Sequence, residues 1–253
     1  EFLGLLDQSM RYYAITGGAF DITFAPLWPI WKSAAASKKM PAKEDIEKAL
    51  SNIGSAYVRV DRARKTVRFT RSVQINMGGL LRSYALLKGR EVLRRLSPGH
   101  YPVELKIGGN ILTYGKRDWT YEVPDPFHEG RSLGRLRFGE GLLLASSGRE
   151  HFVQIEGRLY SHILDLKTGY PLPDFSNLLV YFPEGEKGDY IPSAVLAVMG
   201  KQKAFDRVSR VPRAAALWID GSGTAELFLS EGSEVGWERN EGLIGKIKKA
   251  LRS

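Results

Sequence analysis

Ser161-His162-Ile163-Leu164-Asp165-Leu166-Lys167-Thr168-Gly169-Tyr170-Pro171 crowds a His, a carboxylate, a Lys and a Thr into seven residues. The run Leu159 to Ile163 delivers it as the second arm of a hairpin that begins with Phe152 to Ile155 and turns at Glu156-Gly157. A Gly-x-Pro turn closes the segment, so the polar groups sit at a strand end. His162 suits binding an anion or relaying a proton, Asp165 orienting a reacting group, and Lys167 neutralising a phosphate. The alternative is a polar loop with no chemistry.

Outward from this segment the periodicity changes along the chain. Upstream it is mostly helical. Phe2, Leu5, Leu6, Met10 and Tyr13 recur at helical spacing and stop at Thr16-Gly17-Gly18. Ala19 to Trp31 is aromatic, and its prolines are expected to prevent a long helix. Pro41 to Ile53 reads as a helix, Tyr57 to Val60 with Thr66 to Thr70 as a hairpin, and Gly79 to Leu96 as a long helix. Strands then dominate: Val103 to Ile107, Trp119 to Val123, Gly134 to Phe138, Leu142 to Ser146 and Leu178 to Phe182. Ile191 to Met199 and Gln202 to Ser209 are expected as short helices, Ala214 to Ile219 with Ala225 to Leu229 as a hairpin, and Gly242 to Leu251 as a basic helix. No linker or repeat divides the 253 residues. The pattern predicts one α+β domain of mixed or antiparallel sheets with flanking helices.

Composition narrows the chemistry. Cysteine is absent, which excludes disulfides, thiolate metal sites and a Cys nucleophile. No run approaches the roughly 18 to 20 apolar residues of a membrane span, and Glu1-Phe2-Leu3 opens into an amphipathic pattern, not a signal peptide. The net charge of +9 suits nucleic acid, an anionic membrane or a phosphorylated small molecule. Its cations (Arg59, Arg62, Arg64, Lys65, Arg68, Arg71, then Arg90, Arg94 and Arg95) accompany no recognisable nucleic-acid module, so nucleic acid is not expected.

Five further segments carry chemistry. Ala19-Phe20-Asp21 offers an aromatic surface for a flat ring and a carboxylate for ring or ribose donors; Asp21 could instead cap a turn. Asn76-Met77-Gly78-Gly79 leads from a strand into a helix whose free N–H groups can hold a phosphate, with Arg82 near by. Gly108-Gly109-Asn110 ends a strand, either as backbone approaching a nucleotide or as a plain turn. Ala145-Ser146-Ser147-Gly148 precedes the hairpin. Asp189 and Ser193 stand four residues apart at a helix start, hard oxygen ligands suited to Mg²⁺, unless Asp189 is only an N-cap.

In this order the segments resemble the ApbE-type family of FAD:protein FMN transferases along essentially the whole chain. Ala19-Phe20-Asp21, with Pro26-Leu27 after it, matches the family's Ala-Phe-Asp segment. Asn76 to Gly79 matches its Asp-x-Gly-Gly, Gly108 to Asn110 its Gly-Gly-Asn, and Ser146-Ser147-Gly148 its Thr-Ser-Gly. Ser161 to Pro171 matches Ser-His-Ile-x-Asp-Pro-x-Thr-Gly-x-Pro, and Asp189 with Ser193 matches Asp-x-x-x-Thr. The departures are Asn76 for Asp, Arg82 for Lys or Glu, Ser83 for Gly, Leu166 for Pro and Ser193 for Thr.

The resemblance implies a T-fold-related domain spanning 1–253 that lacks the family's N-terminal strand. It implies a Mg²⁺-dependent enzyme that takes FAD as substrate, transfers FMN to a Thr or Ser hydroxyl of an acceptor flavoprotein and releases AMP. An FAD pyrophosphatase giving FMN and AMP, or an FAD-binding pseudoenzyme, are the alternatives. The implied FAD-binding residues are Ala19, Phe20, Asp21, Asn76, Gly78, Gly79, Arg82, Gly108, Gly109, Asn110, Ser147, Gly148, Ile163, Lys167 and Thr168. His162 and Asp165 are implied in catalysis, and Asp189, Ser193 and Gly79 in holding Mg²⁺. Members are often periplasmic proteins or exported lipoproteins, so a leader before Glu1 and a location in or facing the periplasm are expected.

Overall fold

Strands Gly141–Ser147, Phe175–Pro183 and Ala215–Asp220 lie side by side at the centre of the molecule, and each carries apolar residues on both of its faces. Side chains alternate across a strand. Leu142, Leu144, Leu178, Val180, Phe182 and Ala216 therefore enter one core, while Leu143, Leu179, Tyr181, Ala215, Leu217 and Ile219 enter a second on the other side. Only a sheet covered on both faces uses such near-continuous apolar runs.

The computed structural model of the chain describes residues 1–96, 101–148, 152–172, 175–183 and 190–240. Their elements are α1 (Phe2–Ile15), α2 (Leu27–Ser37), α3 (Lys43–Leu50), β1 (Val58–Asp61), β2 (Thr66–Phe69) and α4 (Gly78–Leu96). There follow β3 (Val103–Ile107), β4 (Asn110–Tyr114), β5 (Trp119–Pro124), β6 (Ser132–Phe138), β7 (Gly141–Ser147), β8 (Phe152–Ile155) and β9 (Arg158–Ser161). The last are β10 (Phe175–Pro183), α5 (Ser193–Met199), α6 (Lys201–Val208), β11 (Ala215–Asp220), β12 (Ala225–Leu229) and β13 (Gly236–Arg239). The basic helix expected over 242–251 lies outside the described residues. Among those described, no helix is long and apolar enough to cross a membrane.

The main sheet has the order β12-β11-β10-β7-β4-β3, and all its pairings are antiparallel. One face is covered by α1, α4, α5 and α6 through Leu6, Tyr12, Leu80, Leu86, Leu196 and Phe205. The other is covered by a three-stranded sheet, β13-β6-β5, through Trp119, Val123, Leu136 and Phe138. A third, smaller core joins α2 and α3 to the β8–β9 hairpin, around Leu27, Trp31, Ile46, Ile155 and Leu164. The α+β class expected from the sequence is the class observed.

Two local expectations are corrected. No helix was expected to begin within 19–31, yet α2 begins at Leu27 with Pro26 as N-cap and Pro29 in its first turn. At those positions a missing N–H breaks no intrahelical bond. Strands β4 and β13 were not expected. Gly108-Gly109 is a two-residue hairpin turn, pairing Ile107 with Asn110, and the chain runs straight on into β4.

Candidate active site

The Ala19-Phe20-Asp21 segment is held by contacts that begin in α1. Gly17 and Gly18 take φ of +60° and +81° as the helix ends, and the Thr16 hydroxyl accepts the Phe20 N–H at 3.1 Å. The Tyr12 ring meets Phe20 edge-on at 5.7 Å. Ala19 packs half-buried against the same core. Phe20 is only 7% exposed, so it is largely a core residue. Asp21 is buried and its carboxylate is busy. Oδ1 accepts from the Thr23 N–H (2.8 Å), the Thr23 hydroxyl (2.7 Å) and the Ser55 hydroxyl (2.7 Å); Oδ2 accepts from the Ser55 N–H (2.8 Å). The Gly54 N–H adds a bond to the Thr23 hydroxyl at 2.7 Å. Since a carboxylate has about four lone-pair sites, most of Asp21's capacity goes into locking this loop to residues 54–55. Its geometry matches the turn-capping alternative, with capacity for one more donor at Oδ2.

The second segment docks on the first. The Asn76 N–H donates to the Ile22 carbonyl at 2.6 Å, and its side-chain Oδ1 accepts the Gly78 N–H at 2.8 Å, an Asx turn at the start of α4. A Cβ on Gly79 would come within 3.8 Å of the Phe20 ring. One turn on, Arg82 lays its guanidinium over the β3–β4 turn, where a Cβ on Gly108 would stand 2.9 Å from its Nη1. Gly108 has φ of +59°. Gly109 abuts Ala145 of β7, and the Asn110 side-chain oxygen accepts the Ala145 N–H at 3.3 Å.

Strand β7 then passes the site to α5. The Ser146 and Ser193 hydroxyls share a hydrogen bond of 2.7 Å, which ties the strand end to the first residue of the helix. Ser147 pairs in register with Asn177 of β10, and Gly148 is buried. Tyr190, just before α5, is held from the far side, because the Tyr12 hydroxyl donates to its carbonyl at 2.8 Å. Tyr12 therefore braces both Phe20 and the approach to Ser193, a role that no sequence motif announces.

Ser161 to Pro171 divides in two. Ile163 is buried in the same core as Phe20, Met77, Leu144 and Leu178, and the His162 side chain beside it is exposed. Asp165 to Tyr170 folds into a tight turn. The Asp165 carbonyl accepts the Gly169 N–H (2.7 Å), its Oδ1 accepts the Lys167 N–H (2.9 Å), and its N–H donates to the Tyr170 carbonyl (2.8 Å). Gly169 docks on α2 and α3, with its carbonyl accepting the Trp31 indole N–H at 2.8 Å. Lys167 and Thr168 are exposed. Trp31 and Ser55 thus fix the two loops, and neither was singled out from the sequence.

Ala19–Asp21, Asn76–Gly79, Arg82, Gly108–Asn110, Ser146–Gly148, Ile163 and Ser193 therefore form a linked chain of neighbours across the helix-covered face of the sheet. Asp165, Lys167 and Thr168 belong to the adjoining turn. Asp189 lies outside the described residues. A cleft of about 430 Å³ opens elsewhere, between α2 and α3 at Ile30, Ala34, Met40 and Asp45. Another of about 240 Å³ lies at Glu104, Arg117 and Trp119. Neither is lined by a motif residue, and neither gathers convergent chemistry. Among the described residues no group of three His, Asp or Glu side chains could hold a metal ion. The Ser193 hydroxyl is a hard oxygen donor of the kind Mg²⁺ takes, and its partner in the structure is the Ser146 hydroxyl.

The sequence matches known proteins over this same framework. An FAD:protein FMN transferase of Chlamydia pneumoniae is 30% identical over 179 residues, which is 68% of this chain and 54% of that protein. One from Haemophilus influenzae is 25% identical over 219 residues, covering 81% of this chain and 62% of the relative. The chain thus spans a little over half the length of these relatives. The crystal structure of the ApbE protein from Thermotoga maritima superposes with a TM-score of 0.77 at 25% identity, over 90% of this chain and 75% of that one. The flavin transferase ApbE of Vibrio cholerae shares the fold, with a TM-score of 0.70 at 19% identity over 90% of this chain and 74% of its own. The profile of the ApbE family matches residues 1–218, the stretch that holds every motif described above, and the chain belongs to that family.

Proposed function

We propose that this protein transfers FMN from FAD to a Thr or Ser hydroxyl of an acceptor protein and releases AMP. The observation that carries the reading is the run of contacts joining Phe20 to Gly79, Arg82 to Gly108 and Ser146 to Ser193, which gathers the motifs onto one face of the sheet. Ala19, Phe20 and Ile163 line the side that takes the flavin nucleotide. Gly78, Gly79, Gly108, Gly109 and Asn110 let backbone approach it, and Ser147 and Gly148 border it. Arg82 faces the phosphates with a fixed positive charge. Asp189, Ser193 and Gly79 would hold Mg²⁺, which when bound would supply Lewis-acid polarisation of the pyrophosphate and stabilise the departing AMP.

In the transfer the acceptor hydroxyl oxygen bonds to the FMN phosphorus, the bond from that phosphorus to the bridging oxygen breaks, and AMP leaves. The hydroxyl proton passes to a base, for which exposed His162 is the candidate. Asp165 shapes the turn that carries Lys167 and Thr168 beside it. The periplasmic side of the membrane is the proposed location.

Asn76 motivates a second reading, FAD binding or FAD hydrolysis without transfer. Its Oδ1 accepts the Gly78 N–H, a bond an Asp carboxylate would make equally well. The substitution therefore keeps the turn and removes a charge. Incubation with FAD, Mg²⁺ and an acceptor domain, followed by mass spectrometry of the acceptor, decides between the readings. An FMN-sized mass gain is expected, lost in Asp189→Ala. FMN and AMP formed without acceptor modification would establish hydrolysis, and FAD retained without AMP release would establish a pseudoenzyme. Asn76→Asp is expected to raise turnover.

A further inference from the structure

The ribbon β1–β2 rises from the locked loop, since Ser55 binds Asp21 just before β1 and Asn76 binds Ile22 after β2. Its two faces differ sharply. Val58, Val60 and Val67 turn inward; Val58 is buried, and Val60 and Val67 pack against the main core. Because side chains alternate, Arg59, Asp61, Thr66 and Arg68 occupy the outward face. The register sets Arg59 directly opposite Arg68. Like charges so placed on one face destabilise a ribbon. Both side chains are exposed, and among the described residues neither has an ion pair or hydrogen bond. A third guanidinium, that of Arg71 just past β2, lies 4.6 Å from the centre of the Tyr57 ring just before β1. Asp61, the one acid on it, is 4.0 Å from Arg64.

We infer that this cationic face is a docking surface for an acidic patch on the acceptor protein. The inference rests on the transferase reading. Two arginines set opposite each other on the ribbon, with a third beside its base, are a liability unless an anionic partner neutralises them. The ribbon starts where Asp21 is anchored, so a protein lying across it brings a hydroxyl towards the proposed FMN site. A protein surface fits better than a bilayer. The face of Arg59 and Arg68 has no apolar side chain to enter lipid, and the exposed Phe69 lies on the opposite face, paired with Val58.

The test compares wild type with Arg59→Glu/Arg68→Glu and with Lys203→Glu/Arg210→Glu, two exposed cations at α6 that give the same change in net charge. Association is read by fluorescence anisotropy with a labelled acceptor domain and with labelled poly-L-glutamate. The ribbon variant is expected to bind each at least about tenfold more weakly at low salt, with FAD affinity and melting temperature unchanged. The difference should vanish in about 1 M salt, where the screening length is about 3 Å. Equal loss in the α6 variant, no loss in the ribbon variant, or no binding by wild type overturns the proposal. So does loss of binding only to vesicles of equal parts phosphatidylcholine and phosphatidylglycerol, which would make the face a membrane contact. Association requires no turnover, so a chain that binds the acceptor domain but transfers nothing refutes the transferase reading and leaves the docking surface standing.

Discussion

Gly169→Ala probes how the Ser161–Pro171 segment is held. Gly169 has φ of +75°, and a Cβ there would stand 2.5 Å from Ile46 Cγ2 and 3.3 Å from Leu27 Cδ2 and Leu50 Cδ1. The residue cannot rotate away without loss, since its N–H is bonded to the Asp165 carbonyl and its own carbonyl accepts from Trp31. Ile46 cannot yield easily either, being 1% exposed and β-branched on a helix. Two costs add. A left-handed Ala costs roughly 1–2 kcal/mol, offset by about 0.4–1 kcal/mol from the stiffer unfolded chain. Forcing a methyl into a filled core costs about 1–3 kcal/mol. The sum is about 1–5 kcal/mol.

Gly157→Ala is the control. Gly157 has φ of +80° with open space where its Cβ would go, so it reports the backbone cost alone. Urea denaturation of both variants should leave Gly169→Ala about 1–3 kcal/mol less stable than Gly157→Ala. At roughly 2–4 °C per kcal/mol for a chain of this size, that separates their melting points measurably. If the two lose equal stability, the docking of this turn on α2 and α3 is wrong. The functional arm is FAD affinity, which should fall in Gly169→Ala and not in Gly157→Ala.

Asp21→Asn should cost about 1–3 kcal/mol in the same assay, because the amide brings an NH₂ to face the buried Ser55 N–H; unchanged stability would mean the carboxylate is not spent on the loop. Gly108→Ala should weaken FAD binding as much as Arg82→Ala does while costing only about 1 kcal/mol of stability, since its methyl meets the movable end of the Arg82 side chain; wild-type affinity in Gly108→Ala, measured by flavin fluorescence, would separate Arg82 from the phosphates. Asp220 is held below its ordinary pKa by the Ser222 hydroxyl first, with the Ser222 and Thr224 N–H groups adding to the effect. Its folded-state pKa is depressed, so its contribution is complete above about pH 3.9 and is lost as pH falls through the lower folded value; stability-against-pH curves should show this acid loss in wild type and not in Asp220→Asn.

What the sequence revealed of the fold follows from how its elements are buried. Strands β7, β10 and β11 were legible because both faces are covered and their central residues, 142–145, 178–182 and 215–219, form unbroken apolar runs. Helix α4 was legible because Gly78-Gly79 starts it and its buried positions recur at helical spacing. Strand β4 was missed because Gly108-Gly109-Asn110 invited a reading as ligand-approaching backbone, and only the pairing of Ile107 with Asn110 identifies the turn as a hairpin. The site shows the same limit more clearly. Motifs that are contiguous in sequence could be found, but the residues that bring them together are distant. Ser55 reaches back 34 residues to Asp21, Trp31 reaches 138 forward to Gly169, and Tyr12 reaches 178 to Tyr190. None of these three contacts has a local pattern, since each depends only on which elements the finished sheet places side by side. Asp21 shows the consequence for function. As a motif residue it looks like a ligand contact, yet four hydrogen bonds to Thr23 and Ser55 turn it into the joint between the Ala19–Asp21 segment and the β1–β2 ribbon. A carboxylate used in this way still matters to binding, but through the shape of the loop, and its loss should appear first in stability and only then in affinity.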